Sequence, residues 1–149
     1  MLHALNNLAT QTHSGTQKTM KTVKHFLNYC ARNPDSATLY RASNMILNVN
    51  SNAAYLAAPK ARSQIGGFYY MGNRNKQLIN DPVAVNAKMI KNVMSSASEA
   101  KIGALYMNAK LAVPMRTTLA ELGHPQSPTP IQTNHSTANS IVNSTIRQN

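Results

Sequence analysis

Acid is scarce in this chain. Only Asp35, Asp81, Glu99 and Glu121 oppose fifteen Lys plus Arg, which leaves a formal net charge of +11 and an isoelectric point of about 10.2. Such an excess points to a polyanionic partner, most simply nucleic acid. Yet fifteen basic residues in 149 is an ordinary count, so the imbalance comes from missing acids rather than added bases. The amides show the same bias, with 18 Asn against 2 Asp. The single cysteine, Cys30, excludes an internal disulfide and fits a reducing compartment. The Asn-x-Ser/Thr triplets at Asn134 and Asn143 therefore carry no weight without secretion. No apolar run is long enough to span a bilayer, and the N-terminus lacks the apolar core of a signal peptide. The expectation is an intracellular protein, in cytoplasm or nucleus, without a membrane partner.

Enough apolar residues remain, at 42%, for one domain with a core. Leu2, Leu5 and Leu8 predict a helix over residues 1–12. A second, amphipathic helix runs over 16–33, with Met20, Val23, Phe26, Leu27 and Cys30 on one stripe and Lys18, Lys21, Lys24 and His25 mostly off it. On that stripe Cys30 reads as a small core residue. A short strand fits 38–42 and a better one 45–52, where Leu47 and Val49 alternate with Asn48, Asn50 and Asn52. Asn is a poor strand former, so three on one face call for a reason. Residues 53–62 read as a connection. A strand over 63–72 follows, with Gly66-Gly67 as an expected bulge, and a third strand over 83–91. A helix is predicted from 95 to 112 and ended by Pro114, then a short helix closed by Gly123, a proline-stiffened linker and a strand over 131–134. The last helix starts at Ser136, with Ala138, Ile141, Val142, Thr145 and Ile146 inward. Three consecutive strands followed by helix, strand and helix describe an α/β protein with a mixed sheet flanked by helices.

Metal-ligand spacings, phosphate-binding loops and nucleophile elbows are all absent, and the five histidines are scattered. One constellation remains. Asn52 ends the first good strand, Glu99 lies in the first turn of the central helix, and Asn134 ends the last strand. In a mixed sheet these ends can converge. Ser96-Ala97-Ser98-Glu99 also fits a capping box, with Glu at the third helical position.

The blocks "TQKTMKTVKHFLNY", "LNVNSNAAYL", "PKARSQIGGFYYMG", "NVMSSASEAKIGAL" and "RTTLAELGHPQSPTPIQTNHSTANSIVN" occur in this order. Together they resemble the RNase H-like region of copia-type retrotransposon polyproteins. The resemblance implies a helical connection over 1–36, like the end of a reverse transcriptase. It further implies an incomplete RNase H-like domain over 37–149. A nuclease of that family needs carboxylates at the end of the first strand, in the central helix, at the end of the fourth strand and in a C-terminal helix. These hold two Mg²⁺ about 3.5–4 Å apart, and Mg²⁺ wants hard anionic oxygens. By motif, the first position falls on Asn52 and the third on Asn134, with Glu99 as the second and as the one candidate metal ligand. The fourth would lie past Asn149, with the last strand and helix of the family domain. The resemblance thus implies a relic of an enzyme that cleaves RNA in RNA–DNA hybrids, with two amides where carboxylates belong. It also implies no bound Mg²⁺ and self-association through an exposed sheet edge.

Asp to Asn, Glu to Lys, Val to Ile or Met, and Ala to Thr are all single guanine-to-adenine changes. "EAKIGAL" resembles a family stretch in which Glu became Lys and Val became Ile. A decayed element with strand-biased mutation would account for the charge as a by-product. Comparison of the locus with intact copies tests this, and differences not dominated by that transition would refute it. Two alternatives stand beside the relic enzyme. One is a basic nucleic-acid-binding module without catalysis, with Lys60, Arg62 and Lys101 as candidate contacts. The other is a product with no selected function.

Overall fold

The computed structural model describes residues 2–73 and 79–143. The chain divides into two units, Met1–Thr38 and Leu39–Asn149.

In the first unit, α1 (Leu2–Ala9) and a 3-10 turn (Thr12–Ser14) precede α2 (Gln17–Arg32). Thr16 caps α2 through a reciprocal capping box with Thr19. None of α2 is fully buried. On the apolar stripe Met20 and Leu27 are exposed, while Val23, Phe26 and Cys30 are half-buried. Cys30 is therefore not the core residue its place on the stripe predicts.

The second unit carries a four-stranded mixed sheet in the order β3-β2-β1-β4. β1 (Ile46–Ala58), β2 (Arg62–Gly72) and β3 (Pro82–Met89) form an antiparallel meander, and β4 (Ile131–Thr133) runs parallel to β1. The crossover between them contains α3 (Ala97–Glu121), and α4 (Ser136–Asn143) packs against α3 and β4. Alternation decides which side chains meet α3. Leu47, Val49, Tyr69, Ala112 and Leu119 make one buried cluster, and Ile65, Ile90, Ala100 and Ala104 a second. The α3 side of both clusters rests largely on small residues spaced by four, Ala100, Ala104, Asn108 and Ala112, which bring the helix close to the sheet.

The structure departs from the predicted elements in four places. Residues 38–42 form no strand. They are tied instead by Arg41 and Asn80, whose backbone and side-chain amide exchange hydrogen bonds of 2.9 Å. β1 continues through the predicted connection, and its irregularity falls between Ala54 and Ala58, not at Gly66-Gly67. Gly67 is needed for another reason: a Cβ there would run into the side chain of Asn108. The two helices expected around Pro114 are one, since Pro114 lies inside α3. In α4 only Ala138 is buried, and Ile141 and Val142 are exposed. Thr145 and Ile146 lie outside the described residues, as do the centre of the loop before β3 and the end of the chain.

Candidate functional site

Parallel pairing of β1 and β4 sets Ser51 opposite Thr133, so Asn134, which follows the end of β4, comes beside Asn52, which lies inside β1 and pairs with Gly66 rather than ending the strand as expected. The sequence-based expectation that these two meet is met. The third member is different. Lys101, on the second turn of α3, donates from its Nζ to Asn52 Oδ1 and, at 2.8 Å, to Asn134 Oδ1. The Asn52 oxygen also accepts the Ala53 N–H at 2.8 Å. One ammonium thus bridges β1 and the end of β4.

Glu99 does not join them. Residues two apart on an α-helix point about 200° away from each other, so only one of Glu99 and Lys101 can face Asn52 and Asn134. Glu99 is exposed and turns back to Ser95, accepting from its backbone N–H and its hydroxyl at 2.6 Å each. Its own N–H donates to the N-cap oxygen of Ser96 at 3.0 Å. The Ser95 hydroxyl, then the Ser95 N–H, hold the Glu99 carboxyl below its usual pKa. Here the capping geometry replaces the expected metal-ligand role. The other two candidate contacts lie elsewhere. Lys60 sits in the β1–β2 turn with φ of 62°, and Arg62 opens β2 opposite Ala58, six positions along β1 from Asn52.

The chemistry available at the cluster follows from charge. Two neutral amide oxygens already accept from an ammonium, which repels a divalent cation. Among the described residues no three His, Cys, Asp or Glu side chains come together. The residues present do not fit the Mg²⁺ pair that the resemblance implies.

Asn52 and Asn134 stand at one end of a groove of about 540 Å³ on the sheet face away from α3, also lined by Asn50, Gly66, Phe68 and Gln132. Below it, inside the core, Asn108 is fully buried. Its oxygen accepts from Tyr69 Oη at 2.9 Å and Asn86 Nδ2 at 3.0 Å, and its nitrogen donates to Ser51 Oγ at 2.8 Å and to the Gly66 carbonyl at 3.0 Å. This amide fixes the helix that carries Lys101 against the two strands that form the groove. Sequence reasoning missed it. The available signal was an Asn in register with alanines at four-residue spacing.

No protein-family model, curated protein or solved structure matches the chain. No described helix is long and apolar enough to cross a membrane.

Proposed function

We propose that the second unit is a catalytically silent RNase H-like domain, descended from an enzyme that cleaves RNA in RNA–DNA hybrids. The single observation that carries this reading is the bridge from Lys101 to both Asn52 and Asn134. The resemblance calls for three carboxylates at the ends of the first and fourth strands and on the central helix. The residues that meet there are Asn, Asn and Lys, each one guanine-to-adenine change from Asp, Asp and Glu. On this reading the helix position is Lys101 rather than Glu99. The order β3-β2-β1-β4, with β4 parallel to β1, supports it by bringing Asn52 and Asn134 together. A lysine amid the amides removes the anionic oxygens a metal pair needs and adds a charge of the wrong sign, so hydrolysis through metal-activated water has no basis here.

Thermal melts of three forms test this. In Asn52→Asp/Lys101→Glu/Asn134→Asp, three carboxylates meet and repel, which lowers stability without metal. With a site Kd of about 1 mM, about 10 mM Mg²⁺ restores roughly 1.4 kcal/mol by binding only the folded state. For a domain of this size that is ~3–5 °C. Asn52→Asp/Asn134→Asp keeps Lys101 between two carboxylates and gains a solvent-exposed ion pair of about 0.2–1 kcal/mol, with no metal response. The parent does not respond. An absent Mg²⁺ shift in the triple variant, or an equal shift in the double one, overturns the assignment.

A further inference from the structure

The groove beside the lysine bridge has a chemistry of its own, independent of what the chain descends from. At one end are Asn52 and Asn134, whose side-chain oxygens both accept from the Lys101 ammonium and so bring its charge to the rim of the groove. Glu99, the nearest carboxylate along α3, is engaged with Ser95. This end therefore favours an anion. Gly66 pairs with Asn52 across the strands and leaves the floor open, because a Cβ there would meet only Asn52 backbone and Cβ atoms at 3.8–3.9 Å. Two pairs further along, the next on the same face, Asn50 faces Phe68. Asn50 lines this part of the groove, and its Oδ1 is buried with no partner among the described residues. Phe68 is the diagonal neighbour of Asn52, about 7–8 Å away between backbones.

We infer that this groove binds single-stranded nucleic acid. One backbone phosphate lies on Lys101 and the amides of Asn52 and Asn134, and the adjoining base rests on Phe68. The cationic end and the aromatic face follow one another in the order of a nucleotide's phosphate and base. A duplex does not fit the same groove, since its base faces are covered by stacking and its edges by pairing. The net charge of +11 supplies long-range attraction for such a strand but no selectivity.

The full chain is titrated with a fluorescein-labelled single-stranded oligouridylate, read by fluorescence anisotropy over a salt series, with an RNA–DNA hybrid and duplex DNA alongside. Phe68→Ala weakens binding about tenfold at unchanged salt slope, as loss of one stacked base does. Gly66→Leu fills the groove floor and weakens it at least as much. Lys101→Met reduces the salt slope by about one. Should Gly66→Leu fail to fold, Val85→Glu takes its part. Val85 pairs with Phe68, lines the groove and is 49% exposed, so a carboxylate there repels the phosphate without touching the core. Groove variants that fold and bind as the parent, or equal affinity for single and double strands, overturn the inference and leave surface electrostatics only. Either result is separate from the Mg²⁺ melts, which address descent and not this groove.

Discussion

Asn108→Ala tests the buried amide on which both the lysine bridge and the groove depend. The truncation removes four hydrogen bonds between α3 and the sheet. Two of the partners recover. Tyr69 Oη keeps a 3.2 Å bond to the Asn108 backbone oxygen, and the Ser51 hydroxyl can rotate. Asn86 Nδ2 and the Gly66 carbonyl lose their Asn108 partner, at about 1–3 kcal/mol for each buried group left unpaired. With the small cavity added, the expected loss is roughly 3–5 kcal/mol. That is a large share of the about 5–15 kcal/mol available to a whole domain. At about 2–4 °C per kcal/mol the melt moves down by roughly 10–15 °C, read by far-UV circular dichroism. Asn108→Asp separates shape from donors. It preserves the volume and buries a carboxyl at a position with no exposure. Burial raises that folded pKa above about 3.9, so the neutral form is the one that fits. For an acid raised in this way, the stability is complete below the unfolded pKa and is lost as pH rises through the folded one. The Asp variant should melt nearest the parent near pH 4 and fall away towards neutrality. A loss under about 1 kcal/mol for the alanine, or a flat pH profile for the aspartate, would refute the hub.

The two adjacent glycines should part company. Gly67→Ala drives its Cβ into Asn108, with Tyr69 Cε2 at 3.1 Å on the other side, and costs about 1–3 kcal/mol in a chemical melt, whereas Gly66→Ala meets only ordinary contacts and stays within about 0.5 kcal/mol of the parent. Burial pushes the Tyr69 hydroxyl up to about 12 from its ordinary 10.0. Stability from Tyr69 is therefore intact below pH 10 and is lost between 10 and 12, and Tyr69→Phe should flatten that alkaline limb of the melting curve.

Much of the fold was legible because the relevant signals are local. Leu47 and Val49 alternate with the asparagines, Ser96 and Glu99 mark the start of α3, and Thr133 and Asn134 follow a proline-stiffened linker. Asn134 falls where β4 stops, as its sequence suggests, whereas β1 runs on past Asn52 to Ala58, because pairing with β2 outlasts the alternation of Leu47 and Val49 with the asparagines. The rest depends on tertiary structure. Choosing between Glu99 and Lys101 requires the rotation of α3 about its axis, which the packing of Ala100 and Ala104 sets and the capping box does not. Gly66 and Gly67 look alike in a strand, and only the approach of Asn108 distinguishes them. The apparent stop at Pro114 failed because a helix held by core contacts through Ala112, Met115 and Leu119 outlasts one missing N–H. The run at 38–42 has strand-like composition, but its backbone is occupied by Asn80 and Asp81.

The mixed pairing of β1 fixes an order of assembly. On one side β1 meets β2 through a short turn, and on the other it waits for β4, which arrives only after all of α3. Gln126 shows the distance involved, because its amide accepts from Leu47 N at 3.0 Å and donates to Met45 O at 2.8 Å across 79 and 81 residues of chain. On the ribosome the meander is complete long before that clasp can close, and until then the central strand presents an unpaired edge. Local hairpins therefore form early and the parallel closure last, the slow step expected of long-range pairing. Chains stalled before Gln126 should lose β1 to brief proteolysis, and chains stalled after α4 should protect it. Equal protection in the two would show that β1 is secured without β4.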